Sequence, residues 1–243
     1  MMAVALMIGA TAFADEGMWM IQDINEALEK NMRAWGLKLA ANEIYNDEAP
    51  GTAVSDAVVS IGFYCTGSVI SDQGLIITNH HCAYSNIAKL STPEHNYLED
   101  GFWAMTSEEE IPIEGETVFF LKKVFDVTEE VKGIMKEFRA NGKPFGIRKI
   151  SAIMEKRYKE ATGMECILSS MWAGKKYYMS VYKTYTDLRL VAAPPQSIGY
   201  FGGNQDNWTW PRHNCDFTIY RIYEDGKPVT REKSLKISLA GYH

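Results

Sequence analysis

Hydrophobic positions in the first third of the chain predict one helix followed by strands. Residues 21–36 carry apolar side chains at helical spacing and end at Gly36, a residue type that commonly stops helices. Residues 55–79 instead contain three short apolar runs rich in β-branched residues, with a polar turn at 71–74. This part of the chain therefore predicts a helix and three strands.

The rest of the chain also contains segments with strand character and segments with helical spacing of apolar residues. A strand is predicted at 117–125, and two helices follow it. The first helix is expected to begin with a capping box formed by Asp126 and Glu129, and the second to run from about 147 to 161. Strand character returns at 177–193. The order is strands, a helical insertion and strands again, so the predicted fold class is mainly β with helical additions.

The composition is that of a globular protein and narrows the function classes. The 243 residues are 46% hydrophobic and 23% charged, which argues against a disordered chain. A formal charge of −6 removes the electrostatic case for nucleic-acid binding. No apolar run reaches the roughly eighteen residues that a membrane span needs, so a membrane-spanning protein is not expected.

The N-terminal residues have the pattern of a secretory signal peptide. Residues 3–14 are apolar or small and end in Ala12-Phe13-Ala14, an A-x-A cleavage pattern followed by Asp15. The positive n-region is missing, which indicates a late start codon or a clipped chain; an ordinary buried segment is the alternative. Cleavage after Ala14 predicts export to the periplasm or cell surface of a bacterium, where disulfides persist.

The sharpest local signal is a pair of histidines beside a cysteine. Residues 78–83 close a predicted strand whose partner begins at Cys65, and the spacing to Cys82 fits a hairpin bridged by a disulfide near its base. A histidine held there can act as a general base, because an imidazole titrates near working pH. A zinc site at His80, His81 and Cys82 is an alternative, although neighbours in extended backbone point to opposite faces. A structural histidine is another alternative.

A second group of candidate residues lies near the end of the chain. Residues 199–215 have loop composition, and the alternating strand that follows has Asp216 at its entrance. A carboxylate at this position suits a buried partner that holds a histidine through Nδ1–H. Cysteine counting leaves open whether Cys166 pairs with Cys215.

The histidine segment resembles the chymotrypsin-type serine peptidases, in which a Cys-Gly-Gly-Ser strand leads to Thr-Ala-Ala-His-Cys. Longer motifs resemble one bacterial branch of that clan, in this order: GLIITNHHCAY, YLEDGFWA, DLRLVAAPPQSIGYFGG and DNWTWPRH. On these motifs the chain is identified, from Asp15 onward, as a member of the dipeptidyl-peptidase 7 and 11 family, serine peptidase family 46. The resemblance implies a chymotrypsin-like double β-barrel, represented mostly by its N-terminal barrel, with helical segments.

The same resemblance implies roles for individual residues. His81 would be the general base and Asp216 the carboxylate that orients it. Asn207 and Trp208 would hold the free α-ammonium of a peptide, so that the enzyme counts two residues from the N-terminus and releases dipeptides. The expected substrates are peptides with a free N-terminus, no metal or other cofactor is expected, and a homodimer is compatible with the full-length protein.

The sequence departs from the family pattern in three places. Asn204 replaces the usual Asp, and Asn214-Cys215 replaces the usual Thr-Gly before Asp216. No Gly-x-Ser-Gly segment, the usual setting of the nucleophile and oxyanion hole, follows Asp216. We therefore expect the N-terminal portion of a longer serine-type dipeptidyl-peptidase, inactive as an isolated chain. The alternative is a catalytically inactive protein that binds peptide N-termini.

The predicted organisation has four parts. They are a signal peptide at 1–14, an N-terminal helix with barrel strands at 15–127, a helical segment at 128–176, and a return to barrel strands at 177–243, which ends before the nucleophile-bearing part. The residues that set the preference for the substrate's second side chain are expected to lie outside this chain.

Overall fold

The computed structural model describes residues 19–24, 26–142, 144, 146–206, 209–210, 213–230 and 232–235. The strands in these ranges are β1 (Val58–Ile61), β2 (Cys65–Val69), β3 (Leu75–Thr78), β4 (Phe102–Trp103), β5 (Ile111–Ile113), β6 (Val118–Asp126), β7 (Glu165–Met171), β8 (Lys176–Tyr185), β9 (Asp187–Ala193), β10 (Thr218–Glu224) and β11 (Lys227–Pro228). The α-helices are α1 (Glu26–Ala34), α2 (Ala41–Ile44), α3 (His80–Leu90), α4 (Tyr97–Asp100), α5 (Thr128–Ala140), α6 (Ile147–Thr162), α7 (Gln196–Gly199) and α8 (Gly203–Asp206). Short 3-10 helices occupy Ile21–Asp23, Val54–Ala57, Ser107–Glu109 and Trp172–Gly174.

The strands of the described ranges form one sheet in which neighbours run antiparallel. Their order is β4-β9-β10-β3-β2-β1-β6-β8-β7, with β11 added beside β10 and β5 beside β9. The three runs predicted at 55–79 are strands β1 to β3, the run at 117–125 overlaps β6 in all but its first residue, and the run at 177–193 covers most of β8 and all of β9. In the described part of the chain, the helices are all too short or too polar to cross a membrane.

A tight turn of glycine and aromatic residues joins β1 to β2. Ile61 pairs with Cys65, and between them Gly62 and Phe63 both have positive φ angles, 56° and 60°. A Cβ atom on Gly62 would lie 2.4 Å from the ring of Tyr64, so the turn has room only for glycine at this position. The turn places Cys65 at the first position of β2.

The pairing of β3 with β10 brings distant parts of the chain together. Thr78, the last residue of β3, pairs with Thr218, the first residue of β10. Because the two strands are antiparallel, the segment that follows β3 and the segment that precedes β10 meet at the same end of the pair. This register brings the two predicted groups of site residues together.

The described residues form two hydrophobic cores. The first core packs strands of the sheet against helix α3 and includes Val59, Ile61, Val69, Ile76, Ala83, Ile87, Phe120, Leu188, Leu190, Tyr220 and Ile222. The second core lies where α5 and α6 cover β7 and β8, and it consists of Val127, Val131, Ile150, Met154, Cys166, Tyr177, Met179 and Val181. Each fully buried large apolar side chain contributes roughly 1.5–3 kcal/mol to folding, so both regions have substantial packing of their own.

The helical insertion differs from its prediction at both ends. Helix α5 begins at Thr128, whose backbone N–H donates to Asp126 Oδ1 at 3.0 Å. The predicted capping box with Glu129 is therefore wrong, because Asp126 is still the last residue of β6. The predicted helical segment 128–176 also contains strand β7. Gly163, with φ 68°, ends helix α6, and the chain then returns to pair with β8.

Candidate active site

His81 and Asp216 form a hydrogen-bonded pair at the end of the β3–β10 ladder. The distance from His81 Nδ1 to Asp216 Oδ2 is 2.7 Å. The carboxylate is buried, with 4% of its side chain exposed, whereas the imidazole is 56% exposed. Because a carboxylate only accepts, the proton of the neutral ring lies on Nδ1 and leaves Nε2 as the basic nitrogen. The predicted residues thus meet in the geometry of a base and its orienting acid.

Two further donors hold the Asp216 side chain in place. The backbone N–H of His81 donates to Oδ1 at 3.0 Å, and the amide nitrogen of Asn79 donates to Oδ2 at 3.2 Å and to the Asp216 carbonyl at 3.1 Å. The backbone donor belongs to the first turn of helix α3, where N–H groups have no partner within the helix and favour an anion. Asp216 therefore caps α3 from 135 positions away in the sequence.

The histidines lie in a helix and not, as predicted, in extended backbone. His80 and His81 open helix α3, directly after the extended Asn79. Consecutive helical residues are about 100° apart around the axis. His81 consequently faces solvent, while His80 is 1% exposed and packs inside the protein.

The predicted cysteine pair lies beside His81. The sulfur atoms of Cys65 and Cys82 are 2.01 Å apart, the distance of a disulfide bond, and the Cα atoms are 6.0 Å apart. Since Cys82 lies in helix α3, the bond joins a strand to a helix and does not bridge a hairpin. It anchors the first turn of α3 to the sheet. Cys166 and Cys215 are both free, so the second pairing left open by the sequence does not form.

A shallow cleft of about 390 Å³ runs along the disulfide and is lined by His81, Phe63 and Tyr64 among others. The Tyr64 hydroxyl donates to the carboxylate of Glu116, which also accepts from Asn86 Nδ2 at 3.1 Å. Burial, together with the hydrogen bond to the Glu116 carboxylate, raises the pKa of Tyr64 to about 12, so the phenol stays neutral. The cleft gives a ligand access to the exposed face of the histidine.

The structure gives no support to the zinc alternative. The Cys82 sulfur is bonded to Cys65 and is not a free thiolate, and His80 and His81 point in different directions. Within the described ranges, His, Cys, Asp and Glu side chains form no group of three or more that could hold a metal ion. Asn207 and Trp208, the predicted contacts for a peptide N-terminus, lie outside the described residues.

Comparison with known protein families assigns the chain to a family. Residues 14–243 match the family described as Peptidase S46. The chain belongs to the peptidase S46 family. The family assignment made from the sequence motifs is thereby confirmed.

Relatives in this family are dipeptidyl-peptidases of greater length. The chain is 42% identical to an Asp/Glu-specific dipeptidyl-peptidase of Porphyromonas gingivalis, over 98% of this chain and 35% of that protein. It is also 42% identical to a dipeptidyl-peptidase 7 of Phocaeicola vulgatus, over 94% of this chain and 34% of that protein. The chain therefore spans about a third of the length of these S46 relatives.

The fold agrees with that of a solved S46 enzyme. The crystal structure of Porphyromonas endodontalis DPP11 in complex with the dipeptide Arg-Glu superposes with a TM-score of 0.84 at 36% identity, covering 95% of this chain and 35% of that chain. The predicted fold class, a mainly β chain with helical additions of the chymotrypsin-like type, is confirmed.

Asn79 is the site residue that sequence reasoning missed. Its amide holds both the carbonyl and the carboxylate of Asp216. The available signal was its position, a short polar residue between a strand and the histidine pair, which is typical of a residue that begins a helix. Its side chain makes no capping bond to α3, because Asp216 takes that place.

Proposed function

We propose that this chain supplies the general base of a serine-type dipeptidyl-peptidase, an enzyme that removes dipeptides from the free N-terminus of peptides. The observation that carries the proposal is the His81–Asp216 pair, at 2.7 Å, in a member of the peptidase S46 family. A buried carboxylate bonded to Nδ1–H is the arrangement that prepares an imidazole to accept a proton on Nε2.

In the proposed reaction, Nε2 of His81 takes the proton of a serine hydroxyl as its oxygen attacks the scissile carbonyl. The Asp216 carboxylate stabilises the imidazolium that forms. When the tetrahedral intermediate collapses, the C–N bond breaks and the imidazolium gives its proton to the leaving amine. Water then hydrolyses the acyl-enzyme, with His81 again acting as base. We assign the serine to the part of the S46 proteins that this chain does not cover.

Substrate selection by the free N-terminus is the second part of the proposal. The resemblance to the family assigns the α-ammonium contacts to Asn207 and Trp208. A side-chain amide oxygen and a backbone carbonyl are suitable acceptors for an ammonium group, and an aromatic wall limits the depth of the pocket. A fixed anchor for the N-terminus places the scissile bond after the second residue, which accounts for release of dipeptides.

We further propose export to the periplasm or cell surface, with the Cys65–Cys82 disulfide formed there. The Ala12-Phe13-Ala14 pattern supports a signal peptide. Sulfur atoms at bonding distance support an oxidising compartment, since disulfides are rare in the cytosol. The homodimer implied by the family resemblance stays a prediction.

The test uses the complete protein and a fluorogenic dipeptide amide with a free N-terminus. We expect cleavage of this substrate and none of its N-acetylated form, which lacks the ammonium group. His81→Ala should abolish turnover, and the exposed His95→Ala should not. Binding without turnover, unaffected by His81→Ala, would instead favour the inactive peptide-binding alternative, which has no need of an assembled His–Asp pair.

A second assay isolates the contribution of this chain. The 243-residue chain alone should show no peptidase activity and no labelling by a fluorophosphonate, because it has no serine in a Gly-x-Ser-Gly setting after Asp216. Labelling of a serine within this chain would contradict the assignment of the nucleophile to the uncovered part.

A further inference from the structure

His80 is a buried histidine that the proposed mechanism does not use. It is 1% exposed, and its ring donates a hydrogen bond to the backbone of Pro194. Nε2 is buried and has no partner, so the bond to Pro194 comes from Nδ1. A second proton, on Nε2, would have no acceptor, which favours the neutral ring. Burial also lowers the pKa of His80, against the opposing effect of the Asp216 charge.

The His80 ring lies against the backbone of one short segment, residues 194–199. A Cβ atom on Gly199 would lie 2.8 Å from both Cγ and Cδ2 of the ring. The backbone of Gly199 is not in the left-handed region, so space alone demands glycine here. His80 therefore contacts both ends of the 194–199 segment, by a hydrogen bond at Pro194 and by van der Waals contact at Gly199.

The 194–199 segment in turn holds the backbone beside Asp216. The carbonyl of Ile198 accepts the N–H of Cys215 at 2.9 Å. Cys215 directly precedes Asp216. On the other side, the amide of Asn79, the residue directly before His80, binds Asp216. The two chain segments that fix Asp216 are thus joined to each other through His80.

We propose that His80 is a positioning residue: a neutral imidazole, protonated on Nδ1, whose bond to the Pro194 carbonyl fixes the 194–199 segment and thereby the position of Asp216 against His81. The importance of His80 for catalysis rests on the proposed function, but the geometry of the His81–Asp216 pair can be measured without turnover. A histidine that only filled space would be replaceable by any side chain of similar volume. The proposed role requires a donor at the Nδ1 position.

The test compares two substitutions that differ in this donor. His80→Asn places an amide nitrogen where Nδ1 lies, and His80→Leu fills the site without a donor. The readout is NMR of the 243-residue chain: ¹⁵N shifts give the tautomer of His80, and a low-field proton resonance reports the His81 Nδ1–H bond to Asp216. We expect wild-type His80 to carry its proton on Nδ1 alone. The low-field resonance should persist in His80→Asn and be lost in His80→Leu.

Gly199→Ala provides a test that leaves His80 itself intact. Its methyl group would push on the ring, so we expect the low-field resonance of His81 to be lost there too, even if His80→Leu does not fold. An unchanged resonance in a folded His80→Leu or Gly199→Ala chain would overturn the proposal, as would equal loss in His80→Asn. Peptidase inactivity of the complete protein with the resonance intact would count against the proposed function and not against the role of His80.

Discussion

The two cores differ in the polar groups that surround them. Around the first core, some buried polar side chains have specific partners: Glu110 accepts from Arg221 Nε at 2.8 Å and from the Tyr223 hydroxyl at 2.7 Å. The second core is built from apolar side chains between two helices and the sheet. Its charges lie outside, in exposed pairs such as Lys132 with Glu129, which contribute little to stability.

Buried hydrogen bonds and apolar packing therefore have different consequences: the first fix the geometry of side chains, and the second stabilises the fold. A buried hydrogen bond has a direction and leaves a costly unpaired group when it is broken, so a network of such bonds specifies one arrangement. Apolar packing is less directional and tolerates changes that conserve volume. The His81–Asp216 pair lies within the polar region, where its geometry is held by bonds from Asn79 and from the backbone of α3.

The largest expected effect is loss of catalysis when the acid of the pair is changed. In the complete protein, Asp216→Asn should lower kcat by about 10⁴-fold, because an amide nitrogen opposite Nδ1 imposes the wrong tautomer on His81. Steady-state kinetics would measure it. The matched change in the second region, Glu129→Gln, alters an exposed carboxylate and should leave kcat unchanged. Equal effects of the two changes would remove the distinction between the regions.

Cavities in the two cores should cost similar stability but have different consequences for the site. Ile87→Ala in the first core and Met154→Ala in the second each remove a fully buried side chain and should each cost about 2–5 kcal/mol of unfolding free energy. Urea denaturation would measure this cost. Only Ile87→Ala, within helix α3, should disturb the low-field resonance of His81. Equal disturbance by Met154→Ala would mean that the regions are coupled.

Removing the disulfide should destabilise the first region alone. The bond closes a sequence separation of 17, for which loop entropy predicts a loss of about 3 kcal/mol on replacing Cys65 and Cys82 by serine. Amide exchange should accelerate in α3 and stay unchanged in α6. Cys215→Ser, at an exposed free thiol, is the control and should change neither helix. Faster exchange in α6 of the disulfide variant would contradict the separation.

The smallest expected effect is a pH dependence from His80. Its folded pKa is lowered from 6.5 by burial, so the unfolded chain binds the proton more readily. Stability should be complete above about pH 6.5 and fall as pH decreases from there through the folded pKa. The charge of Asp216 raises the pKa of His80 and that of His81 lowers it, and both are weaker influences than burial.

Urea midpoints between pH 7.5 and pH 5 would measure this loss. The decrease of the urea midpoint with falling pH should be smaller in His80→Asn, whose side chain does not titrate. It should be unchanged in His95→Asn, which replaces an exposed histidine. A slope that is the same in wild type and His80→Asn would assign the acid sensitivity to other groups.

Local sequence patterns determined much of the fold. Apolar runs located β1 to β3 and β6, and helical periodicity located α6 closely and α1 as a helix shorter than predicted. The resemblance to the family, and not a local pattern, assigned the roles of His81 and Asp216, and these roles stay predictions. The strand and helix predictions succeeded because they depend on neighbours in the chain, where periodicity and turn chemistry act directly.

Other features were decided only by the tertiary structure. The sequence predicted extended backbone at His80 and His81, but a helix begins there, and a carboxylate 135 positions away accepts the N–H of His81 in its first turn. The burial of His80 and the position of Cys82 in a helix, rather than in a hairpin strand, were likewise visible only in the structure. The sequence thus determined which elements and which chemical groups are present. Strand register decided how they meet, because register depends on contacts between distant residues that no local pattern encodes.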